Sequence, residues 1–203
     1  MKAMPWLPEP PAGTRICLAF DGSETGDWTA IKAETIDGLL FTPRRPGTNE
    51  PTIWNPADFE GRMPRASVDA AVDYLFDRFD VERMYCDPPL WATEIETWAL
   101  RHGEKRVVGW ETYRARYMHT ELERFLTDLG AGRLTHDGCP ITTAHVRNAR
   151  MAHRKDGTYV VAKPDVARKI DAAVTSVLVH KAASDARVAS WATKELPPLV
   201  FGL

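Results

Sequence analysis

No apolar stretch in this 203-residue chain is long enough to span a bilayer, and residues 1–11 lack the charged start and apolar centre of a secretory signal. A soluble, intracellular protein with no membrane partner is therefore expected. Cysteine is scarce. Cys17, Cys86 and Cys139 are too far apart for a zinc motif, and an odd number of unpatterned thiols points to a reducing compartment rather than a disulfide framework. Cys17 and Cys86 lie within apolar runs and read as small buried strand residues. Any G-x-x-x-x-G-K-[ST] phosphate loop is also missing, so nothing here cradles the phosphates of ATP. Excess charge is nearly absent too, at a net −2, but the balance is uneven along the chain. Residues 1–100 carry nine Lys/Arg against seventeen Asp/Glu, whereas 101–169 carry fourteen against eight and hold five of the six histidines. The basic half is either a solvated surface or the side that meets a polyanion.

With 44% hydrophobic residues, the chain can bury a core as one α/β domain. Residues 1–14, with prolines at 5, 8, 10 and 11, read as a linker or arm. The domain proper spans 15–183. An apolar run from Arg15 ends at Asp21 and is followed by strand patterns over 28–36 and 39–42. The five prolines of 43–64 suggest an irregular flap. A helix is expected over 66–79, a strand over 81–86, a helix over 90–102, a strand over 105–110 and a helix over 114–129 with Tyr117, Leu122, Phe125 and Leu129 facing the core. This order is β-β-β-α-β-α-β-α, and a last helix is expected to open at Lys163-Pro164-Asp165. Between them, 141–151 and 158–162 read as a hairpin about a basic turn. Residues 184–203 lose periodicity and read as a tail.

Three acids stand out. Asp21 closes the first strand pattern and Asp87 closes the fourth, positions where open sheets place ligands. Each has a plainer reading, Asp21 as a turn residue and Asp87 as the cap of the helix that follows. Asp171 falls on the apolar stripe of the last helix, where a carboxylate needs a metal or a partner such as Arg168 or Thr175. Acids converging at a sheet edge repel one another unless divalent cations lie between them, and hard oxygens suit Mg²⁺ or Mn²⁺. Trp28, Trp91, Trp98 and Trp110 read as core; His145 and His153 are either structural or within reach of phosphate or metal.

The acids and element order resemble the ribonuclease H-like nucleases. Four motifs narrow this: Leu18-Ala19-Phe20-Asp21-Gly22-Ser23, Tyr85-Cys86-Asp87-Pro88-Pro89-Leu90-Trp91, Asn148-Ala149-Arg150, and Lys163-Pro164-Asp165-Val166-Ala167-Arg168-Lys169-Ile170-Asp171-Ala172-Ala173-Val174. Together they resemble the nuclease domain of tailed-bacteriophage terminase large subunits. That resemblance implies a mixed five-stranded sheet flanked by helices. It implies that Asp21, Asp87 and Asp171 hold two Mg²⁺ or Mn²⁺ ions, with Asp27 as an accessory acid, and that the chain is an endonuclease cutting concatemeric DNA during genome packaging. Asp21 would bridge both ions. Lys163, Arg147, Arg150, Arg154 and Lys155 would position double-stranded DNA through its backbone, although each reads equally as a solvated side chain. The implied partners are a packaging ATPase domain, a portal and a small terminase subunit, in the cytoplasm of an infected bacterial cell. The missing phosphate loop departs from the full-length family pattern, which fits an excised domain or a protein encoded as a nuclease alone. Two alternatives remain: a resolvase- or transposase-type relative using the same acids, and a non-catalytic packaging module that docks on portal or ATPase.

Overall fold

The computed structural model describes residues 5–189. Its centre is strand β1 (Arg15–Asp21), which pairs antiparallel with β2 (Thr29–Thr35) and parallel with β5 (Asp80–Cys86). Strand β3 (Leu39–Phe41) extends the meander beyond β2, and β6 (Val107–Gly109) lies outside β5. These are the five expected strands. Two short ones join them: β4 (Ile53–Trp54) on β2 and β7 (Thr135–His136) on β3. The order across the sheet is β6-β5-β1-β2-β3-β7, the mixed ribonuclease H-like arrangement.

Side chains alternate between the faces of a strand, and here the two faces meet different helices. Ile16, Leu18 and Phe20 point toward α1 (Arg65–Arg78) and α2 (Ala92–His102), where Phe20 lies edge-on to both Trp91 and Trp98. Cys17, Ala19 and Tyr85 point the other way, onto α5 (Asp171–Val188). Small residues on that helix, Ala182, Ala183 and Ala186, let it lie close to the sheet, and each fully buried Leu or Val beside them contributes about 1.5–3 kcal/mol. Its axial position is fixed by a buried polar network. Glu34 of β2 accepts from His180 Nδ1 at 3.0 Å and from Arg187 at 2.6 Å, while His180 Nε2 meets Asp128 of α3 (Ala115–Gly130) at 3.0 Å. Slippage along the helix axis would strand these charges away from water.

Several expectations are corrected. The stretch 43–64 is not a free flap: Ile53 and Trp54 are buried in β4, and a short 3-10 turn follows at Pro56–Phe59, capped by Asn55. The helix after Asp87 begins at Ala92 rather than Leu90, whose φ of 66° is outside the helical range. Tyr117 and Leu129 are exposed on α3, which buries only the face carrying Met118 and Leu122 against α5. The expected first arm of the hairpin is instead α4 (Pro140–Asn148), started by a proline at its first turn, where the lost N–H has no helical partner. The hairpin is confined to β8 (Arg150–His153) and β9 (Tyr159–Ala162). Nor does the last helix open at Lys163. Asp165 captures the N–H groups of Ala167 and Arg168 at 3.0 Å each, a local turn that competes with helix, and α5 starts at Asp171. It then continues through Val188, while residues 190–203 of the expected tail lie outside the described residues. The arm is docked: Trp6 Nε1 donates to Asp137 at 2.9 Å, and Glu9 pairs with Arg78 at 3.3 Å. Among the described residues no helix is long and apolar enough to cross a membrane.

Candidate active site

Register and alternation place the first two acids. Phe20 pairs with Cys86 across the parallel β1 and β5, so Asp21 and Asp87 are the next residues on adjacent strands, and the Asp87 N–H donates to Phe20 O at 2.9 Å. Both follow residues of the α1/α2 face and so turn toward α5. Asp171 is the first residue of that helix, where the positive end of the dipole and free N–H groups favour an anion. The turn after Asp21 is fixed from the other side: Trp91 Nε1 donates to Ser23 O at 3.1 Å, and a Cβ on Gly22 would come within 2.5 Å of the same indole nitrogen. Only glycine fits there.

The electrostatics single out Asp21. Burial, then the carboxylates of Asp87, Asp171 and Asp27, push its pKa well above the usual carboxylate value, and no ion pair reaches it among the described residues. Asp171 is raised chiefly by burial and further by Asp27, while N–H groups of its own backbone and of Trp28 pull it back. One of its oxygens, Oδ2, is buried without a hydrogen-bond partner. The expected alternative partners do not supply one: Arg168 pairs with Asp165, and Thr175 donates to the Asp171 main-chain carbonyl. Asp87 is raised by burial, partly offset by Thr112, whose N–H and Oγ1 reach its two oxygens at 3.1 and 2.6 Å. It caps no helix.

Asp27 behaves differently. Partial burial raises its pKa, but hydrogen bonds from Lys163 at 2.6 Å and Lys169 at 3.0 Å outweigh this and hold it below the ordinary value. Of the basic residues read from the sequence, Lys163 and Arg154 line a cleft of about 480 Å³ with Asp21, Asp27 and Asp171. Arg147, Arg150 and Lys155 are exposed on α4 and the hairpin and do not line that cleft. Arg150 donates to the carbonyls of residues 147–149.

Three contributors escaped sequence reasoning. Thr112 lies twenty-five residues from the acid it holds, and no local pattern marks it. Lys169 stands inside a quoted motif, two residues before Asp171, yet nothing in the spacing reveals its reach to Asp27. The third is the role of α4. Asn148 Nδ2 donates to Lys169 O at 2.9 Å, and His145 Nδ1 accepts the Ala172 N–H at 3.1 Å, so one helix grips both sides of Asp171. His145 is buried against Trp28, and burial, with Lys169 and Lys32 nearby, lowers its pKa to about 4. His153 is exposed on the hairpin, beside Tyr159.

This donor set has the chemistry for a hard divalent cation: mutually repelling carboxylates, one with an orphaned buried oxygen. Among the described residues no three acid, histidine or cysteine side chains stand at ligand spacing about one point. Thr112 engages Asp87 and the two lysines engage Asp27, so the atoms with spare capacity are those of Asp21 and Asp171.

The nuclease of the large terminase from thermophilic phage G20c, crystallised with magnesium bound, superposes on this chain with a TM-score of 0.63 at 11% identity, covering 84% of each. The chain has the fold of a phage large-terminase nuclease. The HK97 bacteriophage large terminase shares this terminase nuclease fold, with a TM-score of 0.61 and 14% identity over 86% of this chain and 40% of that one. In sequence, the Gene 13 protein of Mycobacterium phage D29 is 33% identical over 185 residues, which cover 85% of this chain. The chain spans only 30% of that relative's length. No family model matches it.

Proposed function

We propose that this chain is a divalent-metal-dependent endodeoxyribonuclease that cuts concatemeric double-stranded DNA during phage genome packaging. The observation that supports the reading is that Asp21, at the end of the central strand, has its pKa raised by burial and by the carboxylates of Asp87 on the adjacent strand end and Asp171 at the helix start. The terminase nuclease fold and the magnesium-bound relative support it. Asp21, Asp87 and Asp171 would hold two Mg²⁺ or Mn²⁺ ions, with Asp27 as an accessory acid. Two such ions supply an activated water and stabilise the leaving oxygen of an in-line phosphoryl displacement. The protein's part is to hold those acids rigidly. Thr112 orients Asp87, α4 fixes the turn bearing Asp171, and Trp91 pins the turn after Asp21. Lys163 and Arg154, with Arg147, Arg150 and Lys155 farther out, would grip backbone phosphates without reading sequence. A packaging ATPase domain, a portal and a small terminase subunit are the proposed partners, in the cytoplasm of an infected bacterial cell.

Incubating supercoiled plasmid with the protein and Mn²⁺, Mg²⁺ or chelator tests this reading. Cleavage is expected with metal and not with chelator, and Asp21→Asn, Asp87→Asn or Asp171→Asn should each remove most of it, because ions shared by the set are misplaced when one ligand is lost. Undiminished cutting by Asp171→Asn would refute the site.

A further inference from the structure

Two tyrosines at the start of α3, Tyr113 just before it and Tyr117 in its first turn, are not used by the folded core. Tyr113 is 66% exposed and Tyr117 is 60% exposed. Neither ring stacks on another aromatic among the described residues, although the Arg114 guanidinium lies 5.9 Å from the Tyr117 centroid. Glu111 is the carboxylate on this ridge, and Arg114 pairs with it.

The position of the ridge is what gives the rings a use. Tyr113 lines the cleft that holds Asp21 and Asp171. On the other side, Tyr117 lines a second cleft of about 400 Å³ formed with Pro88, Gly109, Trp110, Glu111 and Arg114. Thr112, the residue that holds Asp87, lines the acid cleft beside Tyr113. Tyr113 thus borders the acid cleft while Arg114 and Tyr117 border the second, so a strand joining the two clefts would pass all three.

We propose that the Tyr113–Tyr117 ridge is a stacking platform for an unpaired DNA strand that runs from the acid cleft into the Trp110 cleft. The inference rests on the nuclease reading above and extends it by naming the strand state that this side of the site accepts. A duplex keeps its bases stacked on one another and offers phosphates to its surroundings. An unpaired strand offers base faces, and an exposed aromatic ring gains from covering them. Charge agrees. Arg114, 5.9 Å from the Tyr117 centroid and paired with Glu111, and Arg154, which lines the acid cleft with Tyr113, are the cations beside this path.

Binding in chelator tests this without any need for cleavage. Fluorescence anisotropy of a labelled thymidine oligonucleotide and of a blunt duplex is measured with the full chain, with the Tyr113→Ala/Tyr117→Ala double variant, and with the corresponding Phe variant. The alanine pair should lose about tenfold or more in single-strand affinity, since stacking contributes about 1–3 kcal/mol per base, with duplex affinity changed far less. The Phe pair keeps the ring faces and should bind the single strand like the native protein. Unchanged single-strand affinity in the alanine pair, or equal losses on both DNAs, overturns the platform, as does a Phe pair that behaves like the alanine pair. Equal melting temperatures of the three proteins exclude misfolding as the cause. If plasmid cleavage fails while this pattern holds, the nuclease reading falls and the platform stands; the reverse result separates them the other way.

Discussion

Asn148 donates its side-chain amide to the main-chain carbonyl of Lys169 at 2.9 Å, two residues ahead of the acid at the start of α5. Replacing it by alanine leaves that carbonyl short of a donor and loosens the turn. Asn148→Ala should cost about 1 kcal/mol of stability but roughly ten- to hundredfold in plasmid cleavage, the effect typical of groups that orient a metal ligand. Thermal melts and cleavage rates on the same preparations check it; cleavage falling no more than stability predicts would remove Asn148 from the site's support.

Metal and stability should be linked through the acids. Asp21, Asp87 and Asp171 have folded pKa values above their ordinary ones, so their penalty is absent at low pH and grows as pH rises above about 4 through the raised values. In chelator at neutral pH, Asp171→Asn should be as stable as the native protein or more so. Mn²⁺ at a hundredfold excess over its Kd should add about 2.7 kcal/mol to the native protein, several degrees of melting temperature, and less to the variant. A variant that is destabilised in chelator yet responds normally to Mn²⁺ would mark Asp171 as an ordinary structural acid.

His145 shifts in the opposite direction. Its pKa falls to about 4 in the fold from an ordinary 6.5, so it adds stability above pH 6.5 and that contribution drains away as pH drops toward 4. The full contribution is on the order of 3 kcal/mol. Denaturant titrations in chelator between pH 4 and 7 should show a downward slope on acidification, flattened in His145→Gln, whose amide oxygen retains an acceptor for Ala172.

Asp27 occupies two ammonium groups. Asp27→Asn should release Lys163 and Lys169 toward phosphate and raise duplex affinity severalfold in chelator, with a steeper loss of binding as salt increases. Titrations at several salt concentrations test this, and an unchanged slope would show that the lysines are not available to DNA.

The central strands were legible because a buried strand announces itself as an apolar run with a polar stop, and the stops were Asp21 and Asp87. Asp171 is legible as an acid among apolar residues, but periodicity carries its helix back to Lys163: the pull of Asp165 on the Ala167 and Arg168 N–H groups is a local geometry that periodicity does not report. The hairpin arm became α4 for a similar reason, since Pro140 suits both a turn and a first helical residue. Thr112 and Lys169 act across the fold, and such contacts leave no trace in spacing along the chain.

Parity along β1 has a consequence for how this site can change. Phe20 belongs to the indole-lined layer and Asp21 to the opposite one, so inserting a single residue into the strand would exchange them: the carboxylate would turn toward Trp91 and Trp98, and the phenyl ring toward the acids. Insertions in the turns joining the strands leave this phase alone. Length variation among proteins built on this plan should therefore collect in the connections and be absent from Arg15–Asp21, where even one added residue erases the site and opens the core together.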